Sequence, residues 1–133
     1  MKTIICDIDG TIVKYMGGEG HTAVAHNEHE ALPGVVSRIR EWEKKGHRII
    51  LITGRRESVR KRTEEELVRL GIPFDILLMG YADEGRILIN DKGSGGKIKA
   101  HAVVLERDEG WEGVDWELVG LSNSTSVPRA PLI

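Results

Sequence analysis

The stretch Ile4-Ile5-Cys6-Asp7-Ile8-Asp9-Gly10-Thr11-Ile12 constrains this chain more than any other. It begins as an apolar run, the pattern of a strand buried on both faces. It ends in two carboxylates two positions apart. In an extended chain residues i and i+2 point the same way, so Asp7 and Asp9 converge on one spot. Unpaired buried charge is costly, so a core strand ending in two acids puts them to use. Two adjacent carboxylates repel unless a cation sits between them, so the pair implies a metal. Gly10 lets the backbone turn sharply and approach a ligand. Thr11 offers a hydroxyl and a backbone N–H. The bland alternative is an acidic turn, Asp9-Gly10, closing an ordinary strand.

Polar clusters further along weigh against that alternative. His47 to Ile52 is a second apolar strand, and it ends in Thr53-Gly54-Arg55. Phe74 to Met79 reads as a third strand. Arg86 to Asn90 reads as a fourth, closed by Asn90-Asp91-Lys92, and Ala100 to Leu105 as a fifth. Helical spacing places one helix after Pro33, with Val35, Val36, Ile39 and Trp42 inward and Glu41 outward. A second runs from Glu57 to Leu70, with Val59, Thr63, Leu67 and Leu70 on one face. Alternating strands and helices predict an α/β fold with a parallel sheet, and such sheets bind ligands at the carboxyl ends of their strands. The clusters Asp7/Asp9, Thr53-Gly54-Arg55 and Asp91-Lys92 all lie at those ends.

The chain has 133 residues, enough for one domain with a core. Its net charge of −2 gives no general pull toward nucleic acid or an anionic membrane. The single cysteine, Cys6, excludes a disulfide framework and suits a reducing compartment. No apolar segment is long enough to span a bilayer, and no leader precedes the first strand, so the expected location is cytoplasmic. Residues 14–32, rich in Gly and His, read as a flap beside the carboxylates, with no room for a cap domain. Residues 108–133 read as a loosely attached tail, pinned by Trp111 and Trp116, behind a core of residues 1–107.

Asp7-Ile8-Asp9-Gly10-Thr11, Thr53-Gly54-Arg55 and Asn90-Asp91, in this order, resemble the haloacid dehalogenase (HAD) superfamily of phosphohydrolases, in its small capless form. The resemblance covers about residues 3 to 107. It implies a Rossmann-like parallel sheet of order 5-4-1-2-3 flanked by helices. It also implies roles. Asp7 is the nucleophile that becomes an aspartyl phosphate, and Asp9 is the acid and then the base. Mg²⁺ is held by Asp7, the Asp9 backbone carbonyl and Asp91. Thr53 hydrogen-bonds a phosphoryl oxygen, within a phosphate-binding set of Thr11, Thr53, Gly54 and Arg55. A carboxylate nucleophile splits one hard displacement into two easier ones, and phosphoryl transfer needs positioning and charge neutralisation.

Two departures from the family pattern stand out. No lysine occurs between Gly80 and Gly85, where relatives carry one, so another cation must stand in. Arg86 opens the expected fourth strand, roughly 16 Å from its active end at ~3.3 Å per residue. Lys92 is therefore first choice, Lys97 second and Arg55 third. The link from strand three to strand four is also short for a helical crossover of ~10–12 residues, which predicts an extended crossing or a short, peripheral third strand.

Five of the eight residues Arg55 to Arg62 are basic, and Glu64, Glu65 and Glu66 follow at helical spacing. That pattern reads first as a solvated helix face, and second as a substrate-guiding patch. His21, His26 and His29 suit no single helical face; solvation, contact with substrate, or a second metal site all remain open.

The leading expectation is a Mg²⁺-dependent phosphatase for a sugar phosphate or similar small metabolite. Its site is open or covered by a neighbouring subunit of a homo-oligomer. A nucleic-acid 3′-phosphatase is the alternative enzyme, with the net charge against it and the Arg55–Arg62 cluster for it. A non-catalytic binding or regulatory module is the alternative from another class, opposed by the Asp7/Asp9 pair, since such a module needs no proton-transfer acid.

Overall fold

A computed structural model describes residues 1–15, 29–81 and 84–125. The two apolar runs form parallel neighbours, β1 (Thr3–Asp7) and β2 (Arg48–Ile52), in register from Thr3 opposite Arg48 to Asp7 opposite Ile52. Between them runs helix α1 (Val35–Lys44). A single 3₁₀ turn, Glu57–Val59, leads into helix α2 (Arg60–Leu70), which Gly71 ends in the left-handed conformation. Strand β3 (Ile76–Leu78) then pairs parallel to β2. The sheet order is β1-β2-β3, the 1-2-3 portion of the expected order.

The core forms where the sequence patterns meet. Ile49 and Leu51 of β2, Val35, Ile39 and Trp42 of α1, and Leu67 of α2 are buried together with Ile8, Ile12 and Val13 beyond β1. Two acids expected on solvated faces are buried instead. Glu41 is 3% exposed and pairs with Lys45, and Glu66 is 6% exposed. β1 itself is not buried on both faces: Ile5 is 54% exposed, and Thr3 on the same face is exposed too.

The fourth and fifth strands do not form among the described residues: Arg86 to Asn90 and Ala100 to Leu105 carry no ladder. Sheet geometry supplies a reason. β3 lies on the far side of β2 from β1, so a fourth strand beside β1 must cross the whole sheet. Only seven residues separate Leu78 from Arg86, too few for the crossover of a dozen or so that parallel strands need. The short, peripheral β3 agrees with the expectation drawn from that link.

The segment after Leu105 is attached more firmly than a loose tail over its described part. Trp111, Trp116 and Leu121 are buried, and the three tryptophans stack mutually with Trp42–Trp116 centroids 5.0 Å apart and Trp42–Trp111 5.5 Å apart. Trp111 N–H donates to the Pro33 carbonyl at 2.8 Å. Gly110 permits that approach. It has φ +79°, and a Cβ there would sit 2.6 Å from the Pro33 oxygen. Arg38 closes the other end, donating to the carbonyls of Ser122 and Asn123 at 2.8 and 2.7 Å.

Candidate functional site

The site forms where β1 stops. The N–H groups of Thr11, Ile12 and Val13 all point to the Ile8 carbonyl, which coils the chain into a tight turn directly after the strand. Gly10 sits in that turn at φ +87°, a conformation that side chains resist. The turn leaves Asp7 and Asp9 partly exposed, at 28% and 23% of their side chains, while Ile8 between them is fully buried. Both aspartates are thus presented at the carboxyl end of a parallel sheet.

Their partners differ. Asp7 accepts from the Thr11 hydroxyl at 3.1 Å and from the Arg86 guanidinium at 3.2 Å. Burial pushes the Asp7 carboxyl above the usual range, while Arg86, Thr11 and the Ile8 N–H pull it back and Asp9 pushes it further up. Asp9 is gripped by Arg55, whose Nε and Nη2 donate at 3.0 and 2.8 Å in the planar two-point geometry that only arginine offers.

Arg55 is itself buried, at 4% exposure, and spends its remaining donors on the Thr63 hydroxyl and the Glu66 carboxylate, each at 3.1 Å. Burial alone would lower the Arg55 pKa, but Asp9 and Glu66 outweigh it and hold the guanidinium charged. Glu66 in turn meets His29 Nδ1 at 2.5 Å. Glu66 Oε1 is taken by Arg55 and its ionised Oε2 accepts, so Nδ1 of His29 carries the hydrogen. Its Nε2 has no partner among the described residues. The result is a buried chain, His29–Glu66–Arg55–Asp9, that fixes the orientation of Asp9 from behind.

The phosphate-binding candidates are arranged unequally. Thr53 is 1% exposed, and its hydroxyl accepts from the Arg55 N–H at 3.0 Å, leaving the hydroxyl hydrogen for another acceptor. Gly54 is exposed beside it. Arg55 faces Asp9 and the interior, not the open end of the site. Among the other basic residues of that run, Arg60 is held by Glu57 and Glu64, while Arg56, Lys61 and Arg62 are exposed.

The stand-in cation differs from the sequence ranking. Arg86, set aside as out of reach, touches Asp7, whereas Lys92 is exposed and forms no ion pair among the described residues. The ranking rested on Arg86 opening a fourth strand that ends at the site, and that strand is absent. Asp91 is likewise apart from Asp7 and Asp9. It pairs with Lys99 at 2.9 Å, with its side chain 79% exposed. Among the described residues no group of three potential ligand side chains of the His, Cys, Asp and Glu type comes together. Of the expected Mg²⁺ set, Asp7 and the Asp9 carbonyl lie two positions apart at the end of β1, while the Asp91 side chain is paired with Lys99. His29 is in the buried network, and His21 and His26 lie outside the described residues, as does most of the 14–32 flap.

Sequence reasoning passed over Glu66, Thr63, Arg107 and Asp108. Asp108 accepts from the Tyr15 N–H at 2.7 Å, and its own N–H donates to the Gly10 carbonyl at 2.9 Å. The Arg107 guanidinium lies 4.1 Å over the Tyr15 ring. Glu66 was legible in principle, lying three residues after Thr63 and one before Leu67 on the buried side of α2.

A parallel sheet flanked by helices, with paired carboxylates on the turn after its first strand, defines an α/β phosphatase core of the HAD superfamily. Residues 1–86 match the family model described as the polynucleotide kinase PNKP phosphatase domain. The chain belongs to that family, within the HAD superfamily. Among solved structures, a chain of the Pnkp1/Rnl/Hen1 complex is 29% identical with a TM-score of 0.53, over 65% of this chain and 30% of that one. A second, from the Pnkp1/Rnl/Hen1 RNA repair complex, is also 29% identical at a TM-score of 0.53, over 64% of this chain and 27% of the other. The class C acid phosphatase from Bacillus anthracis shares the fold at 24% identity and a TM-score of 0.52, over 59% of this chain and 40% of its own. The chain thus spans less than half the length of each. No curated protein matches the chain. Among the described residues, no helix is long and apolar enough to cross a membrane.

Proposed function

We propose that the chain is a phosphoric monoester hydrolase acting through Asp7 and Asp9, and that its substrate is the terminal 3′-phosphate of a polynucleotide. The observation that carries the catalytic part is the unequal partnering of the two aspartates. Asp7 is partly exposed, free to reach a substrate, and flanked by the Arg86 cation. Asp9 is locked in one orientation by buried Arg55. A nucleophile needs the first arrangement and a proton carrier needs the second.

In the first step an Asp7 carboxylate oxygen bonds to phosphorus and the bond to the leaving alkoxide breaks, with Asp9, protonated on a lone pair turned away from Arg55, donating that proton to the leaving oxygen. In the second, water attacks phosphorus of the aspartyl phosphate, Asp9 takes the proton, and Asp7 is released with inorganic phosphate. Arg86 and the free hydrogen of Thr53 face the added negative charge, which is where most of the stabilisation in phosphoryl transfer arises. Mg²⁺ is the cofactor that the family implies. Asp7, the Asp9 carbonyl and Asp91 would hold it, where it would neutralise charge on the transferring phosphoryl group, and no step is routed through it.

The polynucleotide assignment is supported by the family match over residues 1–86 and by exposed Arg56, Lys61 and Arg62, which follow the Thr53-Gly54 loop in the chain. It puts the nucleic-acid 3′-phosphatase, the alternative that the −2 net charge weighed against, ahead of the small-metabolite phosphatase. A sugar phosphate or similar small metabolite is the second reading, supported by the ion pairs that occupy Arg55 and Arg60. Phosphate release from 3′-phosphorylated oligonucleotides, nucleotides and sugar phosphates, with and without Mg²⁺, tests both. The oligonucleotide should give the highest kcat/KM, in a reaction that chelation stops. A preference for sugar phosphates overturns the substrate class, and no release from any of them overturns the hydrolase.

A further inference from the structure

Among the described residues, 87–104 form an arm that pairs with no strand. The residues flanking it are anchored at the site: Arg86 on Asp7, and Leu105 packed against the core just before Asp108 meets Gly10. A turn at Gly93–Lys97 folds it back, closed by a 2.8 Å bond from Gly93 N–H to the Lys97 carbonyl, and Lys99 pairs with Asp91 across it. Among the described residues the only other backbone hydrogen bond within the arm belongs to the same turn, from Gly96 N–H to the Gly93 carbonyl at 3.1 Å. Yet its sequence is strand-like. Ile87, Ile89 and Val104 are 90%, 90% and 93% exposed, and Leu88 and Ile98 are 60% and 55% exposed. Strand-forming apolar residues left in water with open backbone groups are a template waiting for another edge.

The same chain carries a matching edge. Among the described residues β1 pairs only with β2, so its other edge is open, and Ile5 on one face of the strand is 54% exposed. Charge also matches. With Arg86 before it, the arm holds Lys92, Lys97 and Lys99 against Asp91, a net +3, which leaves −5 on the rest of a chain of net −2. Together the arm's exposed apolar residues offer on the order of 600 Å², the upper end of the ~300–600 Å² of the largest patch on a typical monomer. Two such arms exchanged reach roughly the 1,200–2,000 Å² of a standard stable interface.

We propose that two copies of the chain exchange these arms, residues 87–90 of each adding as a strand to the free edge of the other's β1 and bringing Asp91 to the other's Asp7/Asp9 pair. Exchange of an identical element closes both edges at once with two-fold symmetry. Run parallel to the second copy's β1, the added strand ends beside its Asp7, and Asp91 follows directly. The Asp91 part rests on the phosphatase reading; the exchange itself does not.

Light scattering after size exclusion reads the exchange without any assay of activity. The wild type should have twice the 14.8 kDa chain mass. Ile89→Asp/Val104→Asp, at positions exposed within one chain, should be monomeric with an unchanged circular dichroism spectrum. A wild-type monomer at high micromolar concentration, or a double variant that stays dimeric, overturns the proposal. So does a wild-type monomer whose arm instead takes up an oligonucleotide. For Asp91, inactive Asp7→Asn and weakened Asp91→Ala are mixed in equal amounts. Exchange makes one intact site in each mixed dimer and restores about a quarter of wild-type activity. A dimer whose mixture is no more active than its separate components overturns the delivery of Asp91.

Discussion

Replacing Arg55 with Met removes the centre of the buried network and should cost the fold about 3 kcal/mol, the low end of the 3–5 kcal/mol for breaking a buried ion pair from one side. The low end applies for two reasons. Asp9 remains 23% exposed, so water replaces part of what it loses, and Glu66 keeps His29 at 2.5 Å. What is left is a carboxylate at 6% exposure without its guanidinium and a buried Thr63 hydroxyl without its donor. In urea the midpoint should fall by roughly 1–3 M at unchanged slope, given slopes of ~1–3 kcal/mol/M. Glu66→Gln, which keeps the side chain's shape and a hydrogen-bond acceptor, should cost less, about 1–2 kcal/mol. The double variant should be more stable than the sum of the two losses predicts, because each single change strands the other partner. A loss for Arg55→Met within the ~0.5 kcal/mol of an ordinary surface change, or strict additivity, would refute the buried network.

The raised Asp7 carboxyl has a consequence for stability. A folded-state pKa above the unfolded one favours the fold at acidic pH and disfavours it once the group ionises. Asp7→Asn should therefore raise the melting temperature at neutral pH, and the gain should disappear as pH falls to the unfolded carboxylate range; thermal melts across pH check this. Arg86→Ala removes the first of the influences that lower the Asp7 pKa, so the acid limb of kcat/KM should move to higher pH and the neutral value should fall at least ~10-fold. Lys92→Ala should leave both nearly unchanged, and the opposite ranking in steady-state kinetics would contradict the Arg86 contact.

The sequence carried the part of the fold that local patterns encode. Apolar runs ending in polar clusters marked β1 and β2 within a residue or two, and the 3.6-residue spacing marked α1 and α2. Asp7, Asp9, Thr53 and Arg55 were legible because their strands end where parallel sheets bind ligands. What failed was non-local. Ile87-Leu88-Ile89 has the composition of a strand, but a strand exists only if an edge is within reach, and composition does not report the seven-residue tether that precedes it. Arg86 was misjudged on the same register. Glu66 looked like a member of an acidic surface run because sequence shows charge but not that Arg55 turns inward to meet it.

The most direct test of the account is acid-quenched labelling with an oligonucleotide carrying a radioactive 3′-phosphate. The wild type should show transient label on the protein, Asp9→Asn should hold more of it for longer because the base for hydrolysis is gone, and Asp7→Asn should show none. Phosphate release by Asp7→Asn at the wild-type rate, or turnover by the wild type with no label ever trapped on the chain, would contradict a covalent reaction at Asp7.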